Sequence, residues 1–162
     1  DEQYDVIVNV QGDEPMLEPE QLSELLKPFE NNDVRFSTLV SPVKSVQDLF
    51  NESEVFVVFD KKKRAMYFSR SVIPHVRGVH QTHWLEHYTY FKHVGLYAYS
   101  YSALKEFANL PSSNLERVES LEQNRWIENG NDIYVELTYH ETVSIDTIDD
   151  LKKVRSLLKE QH

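Results

Sequence analysis

A chain of 162 residues, 40% hydrophobic and 12% aromatic, is long enough to bury a core and short enough to form one globular domain. Its net charge of -10, with no basic stripe to offset it, repels polyphosphate backbones and makes nucleic acid a poor partner, while the absence of cysteine excludes a disulfide scaffold, a thiolate zinc site and a cysteine nucleophile. The four glycines, Gly12, Gly78, Gly95 and Gly130, cannot be arranged as GxGxxG, GxxxxGKS/T or GxSxG, so any phosphate-binding glycine loop lies outside these residues.

In chain order, Val6-Ile7-Val8-Asn9-Val10 is a short β-branched run that reads as a central strand buried on both faces, ending in the acidic loop Gly12-Asp13-Glu14-Pro15. Pro19 suits a first helical position, and Leu22, Leu25, Leu26 and Phe29 recur at helical spacing up to a break near Pro28. Phe36 to Val43 reads as a strand, and Val55 to Phe59 with Ala65 to Ser69 as a hairpin around the solvated turn Asp60 to Arg64. Residues 74 to 90 form an irregular, histidine-bearing loop. His93 to Tyr101 is another strand, followed by a short helix from Ser102 to Leu110. Ser113 with Glu116 makes a capping box for a helix running to about Asn129, stopped by Gly130. Ile133 to Thr138 and Val143 to Ile145 are strand-like, and Thr147 with Asp150 caps a last helix carrying Leu151, Val154 and Leu158. This alternation predicts an α/β fold. The lack of cysteine fits the cytoplasm, and with no apolar run of membrane-spanning length and with Asp1-Glu2-Gln3 unlike a basic, apolar signal peptide, the chain is expected to be soluble.

Two aspartates stand where open α/β sheets collect ligands: Asp13 just past a strand, and Asp146 between a strand and a helix start. Together they can clamp Mg²⁺ on a triphosphate, or they are a turn residue and a helix-end charge. On the helix from Asn114 to Asn129, Glu116, Arg117, Ser120, Asn124 and Glu128 form a polar back, and Leu115, Val118, Leu121 and Trp126 a packing face. Glu122 falls within that packing face, flanked by Glu119 and Gln123. A carboxylate there is costly unless used in a site or paired, Arg125 being the candidate partner. His80, His83 and His87 can line one helix face and bind zinc, but without a fourth ligand they read better as a polar loop. The strand ending near Asp13 imitates a Walker B strand, which is useless without a lysine-bearing phosphate loop.

Five segments in order carry a resemblance: Val8-Asn9-Val10-Gln11-Gly12-Asp13-Glu14-Pro15, Tyr67-Phe68-Ser69-Arg70-Ser71-Val72-Ile73-Pro74, Lys92-His93-Val94-Gly95-Leu96-Tyr97-Ala98-Tyr99, Glu119-Ser120-Leu121-Glu122-Gln123 and Ile145-Asp146-Thr147. From about Tyr4 to Arg155 the chain resembles the C-terminal part of CMP-3-deoxy-D-manno-octulosonate synthetases, the 3-deoxy-manno-octulosonate cytidylyltransferases. The resemblance implies a Rossmann-like nucleotide-diphospho-sugar transferase fold, with a mixed, mostly parallel sheet and helices on both faces. It implies transfer of CMP from CTP to the anomeric hydroxyl of an acidic eight-carbon sugar, in lipopolysaccharide biosynthesis, by a cytoplasmic homodimer. Asp13 and Asp146 match the family's catalytic Mg²⁺ ligands. Gln11, Arg70, His93, Tyr97, Glu119, Glu122 and Gln123 match positions around the sugar and its carboxylate. The family's opening strand and its arginine- and lysine-bearing phosphate loop have no counterpart here, and the chain begins without methionine, so these residues alone are expected to fail at CTP turnover. A sugar-binding or dimerisation fragment, or an enzyme for an 8-amino analogue or a sialic acid, stays open beside the main reading.

Overall fold

A computed structural model describes residues 4–12, 16–140, 148, 151–152 and 154–156. They form a six-stranded sheet with β1 at Val6–Val10, β2 at Phe36–Pro42, β3 at Phe56–Phe59, β4 at Ala65–Ser69, β5 at Phe91–Ser100 and β6 at Tyr134–Leu137. The main strand order is β4-β3-β5-β2-β6, with β1 joining β5 beyond the end of β3. The sheet is mixed, as expected. Among the described residues, however, parallel pairing is confined to β2 with β6, because β5 runs against β1, β2 and β3. β1 also departs from the expectation of a doubly buried central strand. Among the described residues it pairs with β5 alone, and Val10 is 46% exposed.

Helices cover both faces. On one face α1, Pro19–Leu26, sets Leu25 against Leu39, Val94, Leu96 and Ala98, with Val6 and Val8 packed alongside. The expected leucine stripe is only partly buried: Leu26 is exposed and Gln21 takes an interior place, so the sheet reads the Gln21–Leu25 edge of the helix. On the other face α2, Tyr101–Asn109, and α4, Gln123–Glu128, enclose Phe36, Val40, Tyr97, Tyr99 and Trp126, where Phe36 meets four aromatic rings at 4.3 to 6.0 Å. Residues 74–90 are less irregular than expected. They hold a 3-10 helix at Gln81–Glu86 whose Trp84 packs with Val43, Leu49, Phe56 and Tyr90. The last predicted strand, Val143 to Ile145, and the capping pair Thr147 and Asp150 lie outside the described residues. Ile148, Leu151, Lys152 and residues 154–156 are helical, and Val154 is buried.

The predicted single helix from Asn114 to Asn129 is two helices. The first, α3, spans Asn114–Glu119 and opens with the expected Ser113–Glu116 capping box. Ser120 then takes a left-handed backbone, φ 54° and ψ 48°, and the N–H groups of Ser120 and Leu121 both close on the Glu116 carbonyl. The chain turns, and α4 starts at Gln123. The turn rotates the faces away from one helical wheel: Val118 is 85% exposed, whereas Asn124 is fully buried. Asn124 meets the outer edge of β4, accepting from the Phe68 N–H at 3.3 Å and donating to the Phe68 carbonyl at 2.9 Å. It thereby satisfies backbone groups that a sheet edge would otherwise leave open. Arg125 reaches back to Glu116, with its Nε 2.8 Å from Oε2 and a second nitrogen on Oε1, so the two helices are joined by a forked ion pair.

Three outcomes follow from this joint. Asn124→Ala strands two buried backbone groups and should cost about 2 kcal/mol or more in urea unfolding; a loss below about 0.5 kcal/mol would mean that the amide is dispensable. Ser120→Gly relieves a side chain held in the left-handed region and should raise unfolding free energy by about 0.5 to 1 kcal/mol, a rise that destabilisation would contradict. The Arg125 hydrogen bond holds the Glu116 carboxyl down, from an ordinary 4.5 to about 2. A depressed carboxylate contributes stability above its unfolded value and loses it as pH falls through the folded one, so the urea midpoint should drop between about pH 4.5 and about pH 2. The drop should be smaller in Glu116→Gln, and an unchanged profile in that variant would refute the assignment.

Candidate functional site

Where β5 passes β2, the register jumps: Thr38 faces Tyr97, but Leu39 faces Val94, leaving Gly95 and Leu96 as an extra pair on β5. Bulges re-aim side chains and recur beside active sites. Here His93, Gly95 and Tyr97 form the floor of a cavity of about 570 Å³. The turn between α3 and α4 supplies Ser120, Leu121, Glu122 and Gln123 as one wall. Arg70, immediately after β4, and Gln11, immediately after β1, stand at its borders with Glu52, Ser53 and Val55.

The floor rings are held firmly. His93 lies 5.3 Å from Phe68 and 5.2 Å from Tyr97, centroid to centroid, and its Nε2 is 2.9 Å from Thr38 Oγ1. Burial pushes the His93 imidazole down to about 3, so it is neutral at physiological pH. Burial likewise pushes the Tyr97 phenol up, keeping its proton available. Tyr97 donates to Gln123 Oε1 at 3.4 Å, while Gln123 Nε2 is buried with no protein acceptor. A buried amide donor without a partner is costly, which marks Gln123 as a polar group held in the wall for more than packing.

Glu119 does not line the cavity. Its Oε1 accepts from Tyr67 and Ser69 at 2.8 Å each, its Oε2 accepts from the Arg70 N–H at 2.9 Å, and its carbonyl accepts from Arg70 Nε at 3.0 Å. Burial raises the Glu119 carboxyl, but the Arg70 N–H, Tyr67 and Ser69 bonds outweigh this and leave it below the usual range. Glu119 is therefore a clamp that sets Arg70, whose terminal nitrogens suit a carboxylate. Glu122 also departs from expectation. It is exposed at the cavity wall rather than buried, and Arg125 pairs with Glu116 instead of with it. The helix break is the reason for both differences.

The structure thus brings Gln11, Arg70, His93, Tyr97, Glu122 and Gln123 to one cavity, with Glu119 behind Arg70. Asp13 and Asp146 lie outside the described residues. His80 and His83 are engaged by Thr82 and Glu86, and among the described residues no group of three or more His, Asp or Glu could hold a metal ion. The sequence reading missed Thr38, Glu52 and Ser53. Thr38 is one of three hydroxyl-bearing residues in β2, with Ser37 and Ser41, so nothing in the strand singles it out, and Glu52 and Ser53 reach the cavity only through tertiary folding.

Comparison with known proteins bears on the family and the fold. A 3-deoxy-manno-octulosonate cytidylyltransferase of Parabacteroides distasonis is 49% identical over 161 residues, covering 97% of this chain and 64% of the relative. A solved CMP:2-keto-3-deoxy-manno-octonic acid synthetase complexed with CTP superposes with a TM-score of 0.87 at 36% identity, over 98% of this chain and 63% of that one. An inositol-1-phosphate CTP transferase from T. maritima shares the fold alone, with a TM-score of 0.61 at 15% identity, over 97% of this chain and 56% of that one. The chain spans about 64% of the length of the curated relatives it matches. No helix among the described residues is long and apolar enough to cross a membrane. Residues 1–133 match the family described as cytidylyltransferase, and this chain, with its Rossmann-like sheet and its polar cavity over β5, belongs to that family.

Proposed function

We propose that this chain is the acceptor-sugar portion, a single domain, of an enzyme that transfers CMP from CTP to the anomeric hydroxyl of 3-deoxy-D-manno-octulosonate and releases pyrophosphate. The observation that carries this reading is the cavity of about 570 Å³ in which Arg70, His93, Tyr97 and Gln123 converge. Its size suits a small ligand. Its lining matches a polyhydroxylated acid: a guanidinium for a carboxylate, a neutral imidazole and an amide for hydroxyls, and an exposed Glu122 and Gln11 at the rim. The name of the 49% identical relative and the CTP held by the solved neighbour support the same reaction. A nucleotide monophosphate transferred to a bound sugar needs positioning above all, and a pocket with fixed donors and acceptors supplies it.

Asp13 and Asp146 are the proposed catalytic pair and Mg²⁺ ligands. Two hard carboxylates suit that ion, and Gln11, two residues before Asp13, lines the cavity. When bound, Mg²⁺ would offset charge on the triphosphate and help to activate the sugar hydroxyl. Assembly as a homodimer, a cytoplasmic location, a role in lipopolysaccharide biosynthesis and indifference to nucleic acid complete the proposal. The net charge of -10 supports the last point.

Equilibrium dialysis with 3-deoxy-D-manno-octulosonate should detect binding to this chain, and Gln123→Ala and Arg70→Ala should each weaken it about tenfold or more, the cost of removing one well-made polar contact. Glu122→Ala should weaken it without lowering stability, because among the described residues Glu122 is exposed and Arg125 pairs with Glu116 instead. Sugar binding that ignores all three substitutions, or no binding at all, would refute the assignment of the cavity. Pyrophosphate release from CTP, sugar and Mg²⁺ tests the transfer step separately.

A further inference from the structure

Thr38 is fully buried on β2 at the β5 bulge, and its hydroxyl meets three groups. Oγ1 lies 2.7 Å from the Leu96 carbonyl, 3.4 Å from the Val94 carbonyl and 2.9 Å from His93 Nε2. A hydroxyl has one proton, and a carbonyl oxygen can only accept. Two oxygens at 2.7 Å with no hydrogen between them would repel, so the Thr38 proton points to Leu96. Oγ1 is then an acceptor toward the ring, and the hydrogen on that contact must come from His93 Nε2. In a neutral imidazole the other nitrogen, Nδ1, is left as a bare acceptor. His93 lines the cavity and is only partly buried, and with Nε2 taken by Thr38 the ring nitrogen left for that cavity is Nδ1. Phe68 and Tyr97, packed against the ring, hold this orientation.

We infer that Thr38 is a positioning residue that locks His93 as the Nε2–H tautomer, so that Nδ1 stands in the cavity as an acceptor and takes a ligand group that donates a hydrogen bond, a hydroxyl rather than a carboxylate. The hydroxyl assignment rests on the sugar reading of the cavity; the tautomer lock does not. A replacement that preserves shape but not the hydroxyl would free the ring to exchange tautomers.

The test is long-range ¹H–¹⁵N correlation spectroscopy of the ¹⁵N-histidine-labelled 162-residue chain at neutral pH, with His93 assigned by the signals lost in His93→Asn. The wild type should show a single Nε2–H pattern and a slowly exchanging Nε2 proton. Thr38→Ser should keep both, and Thr38→Val should lose the slow proton and show a mixture of tautomers. An Nδ1–H pattern, or averaged signals in the wild type, would overturn the inference without any variant, and so would an unchanged pattern in a folded Thr38→Val. If Thr38→Val does not fold, the wild-type pattern and the slow proton decide. Adding 3-deoxy-D-manno-octulosonate should then move the Nδ1 resonance and leave Nε2–H in place. Sugar that shifts the Gln123 side-chain amide but not His93 Nδ1 would overturn the acceptor role. Failure to bind the sugar at all would refute the cavity's assignment, while the spectra of the free protein still decide the lock.

Discussion

The left-handed turn at Ser120 is the constraint from which the cavity follows. A straight helix from Asn114 to Asn129 would set Val118 beside Leu121 and bury both, and it would leave Asn124 on the solvent side. The turn reverses this. It releases Val118 to solvent and swings Asn124 inward, where Asn124 closes the β4 edge at Phe68. Because Arg70 follows β4 directly and is clamped by Glu119 at the end of α3, the same turn sets the cation of the cavity as well as its amide wall. Serine in this conformation is strained by about 1 to 2 kcal/mol relative to a right-handed residue, and strain of that kind collects at functional sites. The forked Glu116–Arg125 pair and the doubled closure on the Glu116 carbonyl are what hold it.

Electrostatics raise a harder question, since a chain of net charge -10 is proposed to bind an acidic sugar beside a triphosphate. At physiological salt the Debye length is about 8 Å, so charge spread over the surface is largely screened, and the groups at contact distance decide. There the acids are divided. Glu116 is committed to Arg125, Glu119 to Tyr67, Ser69 and Arg70, and Glu54 to Lys92. These bonds hold carboxylates in structural work and away from the cavity. What faces the cavity is mostly neutral or cationic: an uncharged imidazole, a protonated phenol, an amide and a guanidinium, with Glu122 and Glu52 on the walls.

Much of this was legible before any coordinates. Pro19 at a helix start, the Ser113–Glu116 box, and the hairpin around Asp60 to Arg64 are local signals, and each element formed where its own residues specify it. The failures share a different cause. The helix was read through Ser120 because serine is neutral in helices and no glycine marks the stop; only the tertiary demand of Asn124 on the β4 edge reveals the turn. Glu122 was placed in the interior by the same error of phase. Family likeness picked out Gln11, Arg70, His93, Tyr97, Glu122 and Gln123 of the cavity, but not Glu52 and Ser53, and not the division of labour. That Glu119 sets Arg70 instead of facing the cavity depends on contacts across about fifty residues of chain, which no spacing encodes. β1 read as central because four of its five residues are apolar, a pattern that reports the capacity for burial and not how many strands lie beside it.

β5 joins the stability of the fold to the geometry of the cavity. Its alternate residues divide cleanly: Val94, Leu96 and Ala98 pack under α1, while His93, Gly95 and Tyr97 face the cavity. The bulge opposite Thr38 and Leu39 belongs to both sides, because the Leu96 carbonyl that it turns inward is the acceptor that orients the Thr38 hydroxyl. A change in the apolar layer, such as a smaller residue at Leu96, would therefore act on more than packing. It would loosen the carbonyl that aims Thr38, and through Thr38 the imidazole on the opposite face. In a strand with period two the faces are chemically separate but mechanically one, so a cavity built on such a strand inherits its precision from the core behind it.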